Sequence, residues 1–565
     1  MKKVVQPLSR LCGLETEHAM HCDQSFAIPL LPGKREFTHA QHYEAIMDQL
    51  QAQSPSAPPK GDKQGAFFAN GSAVWYEAIL PGVANGLLES CTPECDSPKQ
   101  LLASSRAVDA LLLNATGHLE QVKLIKNCGD TRNNVYGAQE NYEVQSFDDS
   151  DATKWRWKIR ALKAVTVFNF FLMCFTSILP VSIALGVAKA AGYPAGIASL
   201  LFPWAVLCLV KRKWIDLAEL LNVWLAILLM PKTIAVSLFY RSTKIGKTYK
   251  HLTPFLVSRI IYAGAGAIDQ KGNFHLGQKA SSRTTDWLMM NVGFQQSIFC
   301  LNGIFKDLFK WMTRSKTDFY SGRRRISFAI GDSNMCEEAE YLKIATTSLT
   351  LDAIESGAIT DFPRLKGTIR SLRKLNSDPT LKATVKTSRG EMTAIEIQQF
   401  YLNACRKYVE SLESAPEEAF EILQRWSDVL FNLVNSPEEL FGRVDWVTKR
   451  ALMRRVHQSD ANPQRIGSHS EFSNSRQLLA LKKVDTKYHE VSNEGYYYQL
   501  RNNGLTTPVL DDQEITKAGR MPPLSSTAAQ RSRYIREFGR EVEWVTWDMV
   551  KLANERQPVE FSRNE

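Results

Sequence analysis

The run RISFAIGDSNMCEEAEYLKIATTSLTLDAIE, Arg325–Glu355, decides the fold class. Its first eight residues are β-rich and short, and Gly331-Asp332 stops them, as at the end of a strand. From Met335 to Glu355 the pattern is that of a helix. Asn334 is its predicted N-cap, and Glu337 three residues on completes a predicted capping box. A strand that turns directly into a long helix makes this a chain of mixed α and β structure.

Downstream, Ala394–Leu412 and Pro416–Leu433 read as two further helices, and Glu541–Ala553 as ordered sequence near the end. Upstream, Leu252–Gly266 is apolar and closes on small residues. Phe37–Gln53 places Phe37, Tyr43, Ile46, Met47 and Leu50 in the pattern of an amphipathic helix. Ala66–Glu77 reads as two strands joined at Asn70-Gly71, a strong hairpin signal. Near the N-terminus, Gly13-Leu14-Glu15-Thr16-Glu17 places two carboxylates at i and i+2, on one face of an extended segment. Hard oxygen ligands crowded on one face suit Mg²⁺. Glu-x-Glu alone more often marks a solvated edge strand.

The formal charge of +10 and the apolar fraction of 44% describe an ordinary globular chain with some affinity for phosphates, acidic partners or anionic lipid. No basic run interleaved with aromatics and no zinc-finger spacing occurs, so nucleic acid is not an expected partner. The ten cysteines form no framework, which suggests a reducing compartment. His18, His21 and Cys22 form a local cluster without a partner at known metal spacing.

The middle of the chain differs in character. Ala164–Ala188 and Ala190–Val210 carry no charge, and each is long enough to cross a bilayer. Lys154, Arg156, Lys158, Arg160 and Lys163 precede them, and Lys211, Arg212 and Lys213 follow. The positive-inside rule then predicts a membrane hairpin with both flanks cytoplasmic. A third apolar stretch, Leu217–Tyr240, is interrupted by Glu219, Pro231 and Lys232 and is expected to lie in the interface or re-enter the membrane and not to span it.

Several pieces in order resemble the Pup ligase and depupylase family of bacteria, relatives of glutamine synthetase. They are GLETE (Gly13–Glu17), the Asn70-Gly71 hairpin with later ESCTPE (Glu89–Glu94), VYGAQENY (Val135–Tyr142) and TPFLVSRIIYAGAG (Thr253–Gly266). RISFAIGDSNM and its helix, VDWVTKRALM (Val444–Met453), VDTKYHE (Val484–Glu490) and PPLSSTAAQRSR (Pro522–Arg533) complete the series. The resemblance implies an α+β fold: a glutamine-synthetase-like curved antiparallel sheet with flanking helices and a smaller C-terminal domain. The expected division is 1–145 and 251–480 for the catalytic domain, 146–250 for an inserted transmembrane helical hairpin, and 481–565 for the C-terminal domain.

The family's chemistry uses ATP and Mg²⁺ to phosphorylate a side-chain carboxylate of a Pup-like protein tag, which a lysine amine of a protein substrate then attacks. By resemblance Glu15, Glu17, Tyr76 and Glu89 are expected metal ligands, Thr92 and Trp547 nucleotide contacts, and Glu77 the catalytic base. The sequence also departs from the family. Ala73 stands where the family has an Arg, Trp75 at its Tyr with Tyr76 next along, and Glu77 at its Asp. Gln139 and Ser327 replace histidines, and Ala528 stands at another expected Arg. GDSNM and the short Glu17–Asn70 interval resemble the ligase branch. A depupylase-type hydrolase and a weakened tag-binding protein remain alternatives. The expected location is the bacterial cytoplasmic membrane, with the catalytic part facing the cytoplasm and the bilayer as a partner.

Overall fold

The structure, a computed structural model, describes residues 7–22, 39–61, 63–77, 86–119, 122–129, 135–146, 157–158, 160–169, 171–172, 230–289, 296–300, 323–460 and 475–561. The chain divides into two compact units. One comprises Met1–Glu143, Lys250–Ser282 and Phe328–Glu565, and the other Val144–Tyr249 and Arg283–Ser327. Residues 481–565 fall within the first unit.

The first unit opens with β1 (Cys12–Cys22), α1 (His39–Gln53), β2 (Ser56–Ala57), β3 (Gly65–Phe68), β4 (Ala73–Glu77), β5 (Leu87–Cys91), α2 (Pro98–Gly117), β6 (Val122–Ile125) and β7 (Gln139–Gln145, its last two residues in the second unit). The strands run in the order β7-β1-β5-β4-β3-β2, and β6 pairs with the far half of β1. These pairings are antiparallel. The β3–β4 hairpin turns at Asn70-Gly71 as expected. Gly71 has φ +86° and its N–H donates to Phe68 O, while Asn70 Oδ1 accepts from Ser72 N. A Cβ at Gly71 would meet side-chain atoms of Pro522 and Pro93 within 3 Å, so both conformation and space demand glycine.

Period-two alternation divides the sheet into two chemically distinct faces. Val74, Tyr76, Leu88, Ala66 and Phe68 face α1 and α2, where they pack with Tyr43, Ile46, Met47, Leu50, Val108 and Leu112. The four α1 residues are among those that the helical period selected; Phe37 lies outside the described residues. Each such fully buried aliphatic or aromatic chain stabilises the fold by about 1.5–3 kcal/mol. His18 also lies on this face, buried, with Nε2 3.0 Å from Ser90 Oγ; burial brings its pKa down to about 4. It is a neutral core histidine.

The helix predicted after Gly331-Asp332 spans Glu337–Ser356 and is buried through almost its whole length. Its cap corrects the sequence reading. Cys336, not Asn334, is the N-cap residue. The N–H groups of Met335 and Cys336 donate to Asp445 Oδ1 at 2.9 and 3.0 Å, and Asn334 Nδ2 donates to Asp445 Oδ2. Glu337 accepts instead from Val509 N and Leu510 N. A carboxylate from a distant helix has taken the role that a local box was expected to fill, satisfying donors that the helix start leaves free.

Toward the C-terminus, helix Thr527–Phe538 packs with a three-stranded antiparallel sheet of Val542–Val545, Met549–Leu552 and Val559–Glu560. Ile535, Val542, Val545, Val550 and Leu552 share one core with Phe67, Ala73, Trp75 and Cys91. This layer therefore covers part of the sheet face that α1 and α2 leave open.

In the second unit residues 160–169 and 230–241 are helical, and strands Thr285–Met289 and Ser297–Cys300 pair in parallel. The predicted spans 164–188 and 190–210 lie, apart from residues up to 172, outside the described residues. Among the described residues no helix is long and apolar enough to cross a membrane. The end of the third apolar stretch belongs to helix 230–241, which buries Val236, Phe239 and Tyr240 and exposes Ile234 and Leu238.

Candidate active site

The face opposite α1 and α2 gathers carboxylates in cross-strand rows. Glu17 on β1 stands opposite Glu89 on β5, and Glu89 opposite Trp75 on β4. The neighbouring row runs Gln139, Glu15, Cys91, Ala73 and Phe67. Glu77, two residues beyond Trp75, shares its face. Glu15, Glu17, Glu77 and Glu89 thus come from three strands to one side of the sheet.

Each carboxylate has its own partner. Glu15 Oε1 accepts from Asn141 Nδ2 at 3.1 Å, and Glu17 Oε2 from the N–H of Gly137 at 2.8 Å. Gly137 has φ +117°, and a Cβ there would meet Cys128 Sγ at 2.5 Å, so the close approach that serves Glu17 needs glycine. Glu89 Oε2 lies 3.4 Å from Lys63 Nζ, which also lies 4.0 Å from Glu77 Oε2. Burial pushes the Glu89 pKa up to about 7; Lys63 opposes this, while Glu15, Glu77 and Glu17 add to it. Glu17 is raised as well, by burial first, against the pull of Lys279 and the Gly137 N–H. Among the described residues, Lys63 and Lys279 are the cations that pull against these rises.

Lys279 is placed by the Gly331-Asp332 turn. Asp332 Oδ1 accepts from Lys279 N, and its Oδ2 accepts from Ala265 N and Gln278 N. Lys279 Nζ donates to Ala138 O beside Glu17. The GDSNM motif therefore serves this face at one remove, by fixing the backbone that presents a cation. Glu140, in the VYGAQENY run, is fully buried against Arg259 and Tyr142 and anchors β7.

Three expected residues lie elsewhere than the resemblance implies, and a fourth, Glu77, lies where it does. Tyr76 is not with the carboxylates: it packs against Tyr43 at 5.2 Å on the α1 face, because a strand alternates sides, and Trp75 takes the place beside Glu89. The half-buried Trp547 ring packs against the C-terminal core, 5.0 Å from Phe67 and with the Arg531 guanidinium 4.8 Å from its centre, so part of its surface is already covered by the chain. Thr92 is buried and its hydroxyl accepts from Leu14 N at 3.0 Å, which ties β1 to the end of β5. Glu77 does lie on the carboxylate face, half exposed, as a base must be to meet an incoming amine.

Several participants escaped the sequence reading. Arg531 is completely buried, with Nη2 2.8 Å from Glu94 and further bonds to Gly71 O and Trp547 O. It locks the hairpin turn to the C-terminal layer. Lys63 was visible in principle: continuing the Gly65↔Trp75 register by two residues sets it opposite Glu77. Trp544, half-buried on its strand, carries Lys60 Nζ 4.3 Å from its ring centroid.

The donor set suits Mg²⁺, being carboxylate oxygens on one partly buried face. Among the described residues no three His, Cys, Asp or Glu side chains converge to hold an ion as they stand. Glu15, Glu17 and Glu89, each turned to its own partner, are the residues that would hold it; the bound ion would supply charge neutralisation for phosphate oxygens.

The protein-family description Pup-ligase protein matches residues 10–551. A Pup--protein ligase of Acidimicrobium ferrooxidans is 32% identical over 324 residues, 54% of this chain and 64% of that protein. A depupylase of Acidothermus cellulolyticus is 30% identical over 322 residues, 55% of this chain and 59% of that protein. The chain thus spans about three fifths of the length of the curated relatives it matches. Among solved structures, the complex of the prokaryotic ubiquitin-like protein Pup with its ligase PafA aligns with a TM-score of 0.63 at 20% identity, covering 98% of this chain and 89% of that one. PafA in complex with ADP aligns with a TM-score of 0.59 at 19% identity, covering 96% of each. These two neighbours establish the mixed α+β fold, and the match over residues 10–551 places the chain in a family: it belongs to the Pup-ligase family.

Proposed function

We propose that the chain is an ATP- and Mg²⁺-dependent ligase that joins a side-chain carboxylate of a Pup-like protein tag, activated as an acyl phosphate, to a lysine amine. The observation that carries this is the cross-strand row Glu17–Glu89–Trp75 with Glu15 and Glu77 beside it, on a fold shared with a ligase solved in complex with ADP. Glu15, Glu17 and Glu89 would hold the metal, and Glu77 would take the proton of the attacking amine. Among the described residues, Lys63 and Lys279 are cations on this face, where Ala73 offers none.

Relatives with hydrolase names match equally well, so the competing reading is a depupylase acting on the same scaffold. A weakened, tag-binding role is favoured by one observation, that among the described residues no three carboxylates converge as they stand. Turnover of ATP by the purified chain, with and without a Pup-like tag, separates the three. ADP formed in proportion to a tag–lysine adduct supports the ligase, and tag release without net ATP use supports the hydrolase. Absence of any thermal stabilisation by ATP·Mg²⁺ excludes both, since ligand at 100 times its Kd raises stability by about 2.7 kcal/mol.

The chain is further proposed to be anchored in the bacterial cytoplasmic membrane by the 146–250 insertion, its catalytic part facing the cytoplasm. The described helical residues 160–169 and 171–172 overlap the start of the charge-free stretch, helix 230–241 follows it in sequence, and both display large apolar side chains. Phe168 and Phe171 are 63% and 64% exposed on one side, and Leu238 is 56% exposed on the other. Sedimentation with membranes, and release on deletion of 164–210, is the expected result; a full-length protein soluble without detergent overturns the anchor.

A further inference from the structure

Lys63 is the feature of the carboxylate face that family resemblance did not bring forward. Its ammonium lies 3.4 Å from Glu89 and 4.0 Å from Glu77, and 4.6 Å from the centre of the Trp75 ring. Three groups from β4 and β5 thus hold one cation in the middle of the face. The register places it there: Tyr76 N donates to Gln64 O, so the residue before Gln64 continues the pairing opposite Glu77. The side chain remains 45% exposed, which leaves its flexible stem room to swing outward.

We propose that Lys63 is a resident counter-cation of this face, which a divalent ion must displace before Glu89 can serve as its ligand. Lys63 is thereby a positioning residue: it sets the affinity for the metal and couples metal loading to movement of the segment leading into β3. The argument is electrostatic. A metal bound through Glu89 carries two positive charges, and an ammonium on the same carboxylate lies within a few ångströms of it. That is well inside the screening length of physiological salt. The two cations cannot share the oxygens, and the one on a flexible stem gives way. Trp75 favours the resident state, because an ammonium over an indole ring is attracted by its π face.

This inference rests on the reading of the face as a divalent-cation site, and the test separates the two. Mn²⁺ is titrated by calorimetry into the full chain at low ionic strength, comparing native protein with Lys63→Met and Lys63→Arg. Met retains the packing of the stem on Trp75 and removes the charge; Arg retains the charge. The Lys63→Met variant is expected to bind Mn²⁺ on the order of 10-fold more tightly than native, and Lys63→Arg to bind as native does. Thermal melting of the three proteins, expected to coincide, checks that all are folded. Equal or weaker binding by Lys63→Met, with native protein still binding, overturns the role of Lys63 alone. No Mn²⁺ binding by any of the three overturns the divalent-cation reading together with it.

Discussion

Around Glu340 three cations surround one buried carboxylate, whereas Glu89 lies beside the half-exposed Lys63 ammonium, which it shares with Glu77. Glu340 lies 2.9 Å from Arg106, 3.3 Å from Lys343 and 3.9 Å from Lys126. Arg106 and Lys126 also share Asp109, and Lys343 donates to Asp332 O and Asn334 Oδ1. Burial alone would raise the Glu340 pKa, but Lys343, Lys126 and Arg106 outweigh it and bring it down to about 2. Glu89, similarly buried, rises to about 7. The first cluster holds the Glu337–Ser356 helix to α2 with three cations on one carboxylate; at Glu89, among the described residues, Lys63 is the cation that opposes the rise. Among the described residues, the balance between burial and neighbouring cations therefore sets the opposite directions of the two shifts.

The largest effect that would break this contrast is in the structural cluster. Glu340→Gln leaves three cations around a neutral amide, and removing one side of a buried ionic cluster costs about 3–5 kcal/mol. Urea unfolding followed by far-ultraviolet circular dichroism is expected to show that loss. The matching change Glu89→Gln relieves repulsion and is expected to leave the midpoint unchanged or higher. Equal losses for the two variants would erase the distinction.

The pH dependence sharpens the same contrast with opposite signs. Glu340 is depressed from 4.5 to about 2, so its contribution is fully present above pH 4.5 and is lost as pH falls toward 2. That span corresponds to roughly 3 kcal/mol. Glu89 is raised from 4.5 to about 7, so its contribution is present below pH 4.5 and disappears as pH rises through 7. In metal-free buffer, Glu89→Gln is therefore expected to gain stability relative to native protein between pH 4.5 and 7. A constant difference across that range would show that Glu89 is not held as a protonated acid.

A smaller effect concerns binding. With Glu89 neutral, Mn²⁺ affinity is expected to fall by about 10-fold, roughly 1.4 kcal/mol. Titration calorimetry reads this directly, and an unchanged affinity removes Glu89 from the ligand set.

What the sequence disclosed and what it withheld divide along the range of the interactions. The Asn70-Gly71 hairpin, the α1 face and the strand-to-helix turn at Gly331 depend on neighbours within a few residues, and all were legible. The cap at Cys336 depends on Asp445, more than a hundred residues on, and no local pattern could disclose it. Arg531 with Glu94 is likewise a long-range pair, so Trp547 looked free for a nucleotide. The charge-free runs 173–188 and 190–210 lie outside the described residues, and their reading rests on composition and flanking charge. Tyr76 is different, because the signal needed to exclude it was present. Glu77 shares a face with residue 75, and strand parity alone sends residue 76 to the other side.

The smallest predicted effect tests that parity. Tyr76→Phe removes one hydroxyl from a ring packed against Tyr43 on the α1 face. Mn²⁺ affinity is expected to stay within about twofold of native, and stability to change by at most about 1 kcal/mol, the scale of one hydrogen bond. A tenfold loss of metal affinity would instead require Tyr76 to reach the carboxylate face. Since Tyr76 pairs with Leu88 and Trp75 with Glu89, that would need a one-residue slip of β4 against β5. Such a slip would also carry Glu77 to the opposite side and bury it among Tyr43, Met47 and Leu88. A silent Tyr76→Phe and an exposed Glu77 are therefore one prediction: the register that removes the tyrosine from the site is the register that keeps the base in it.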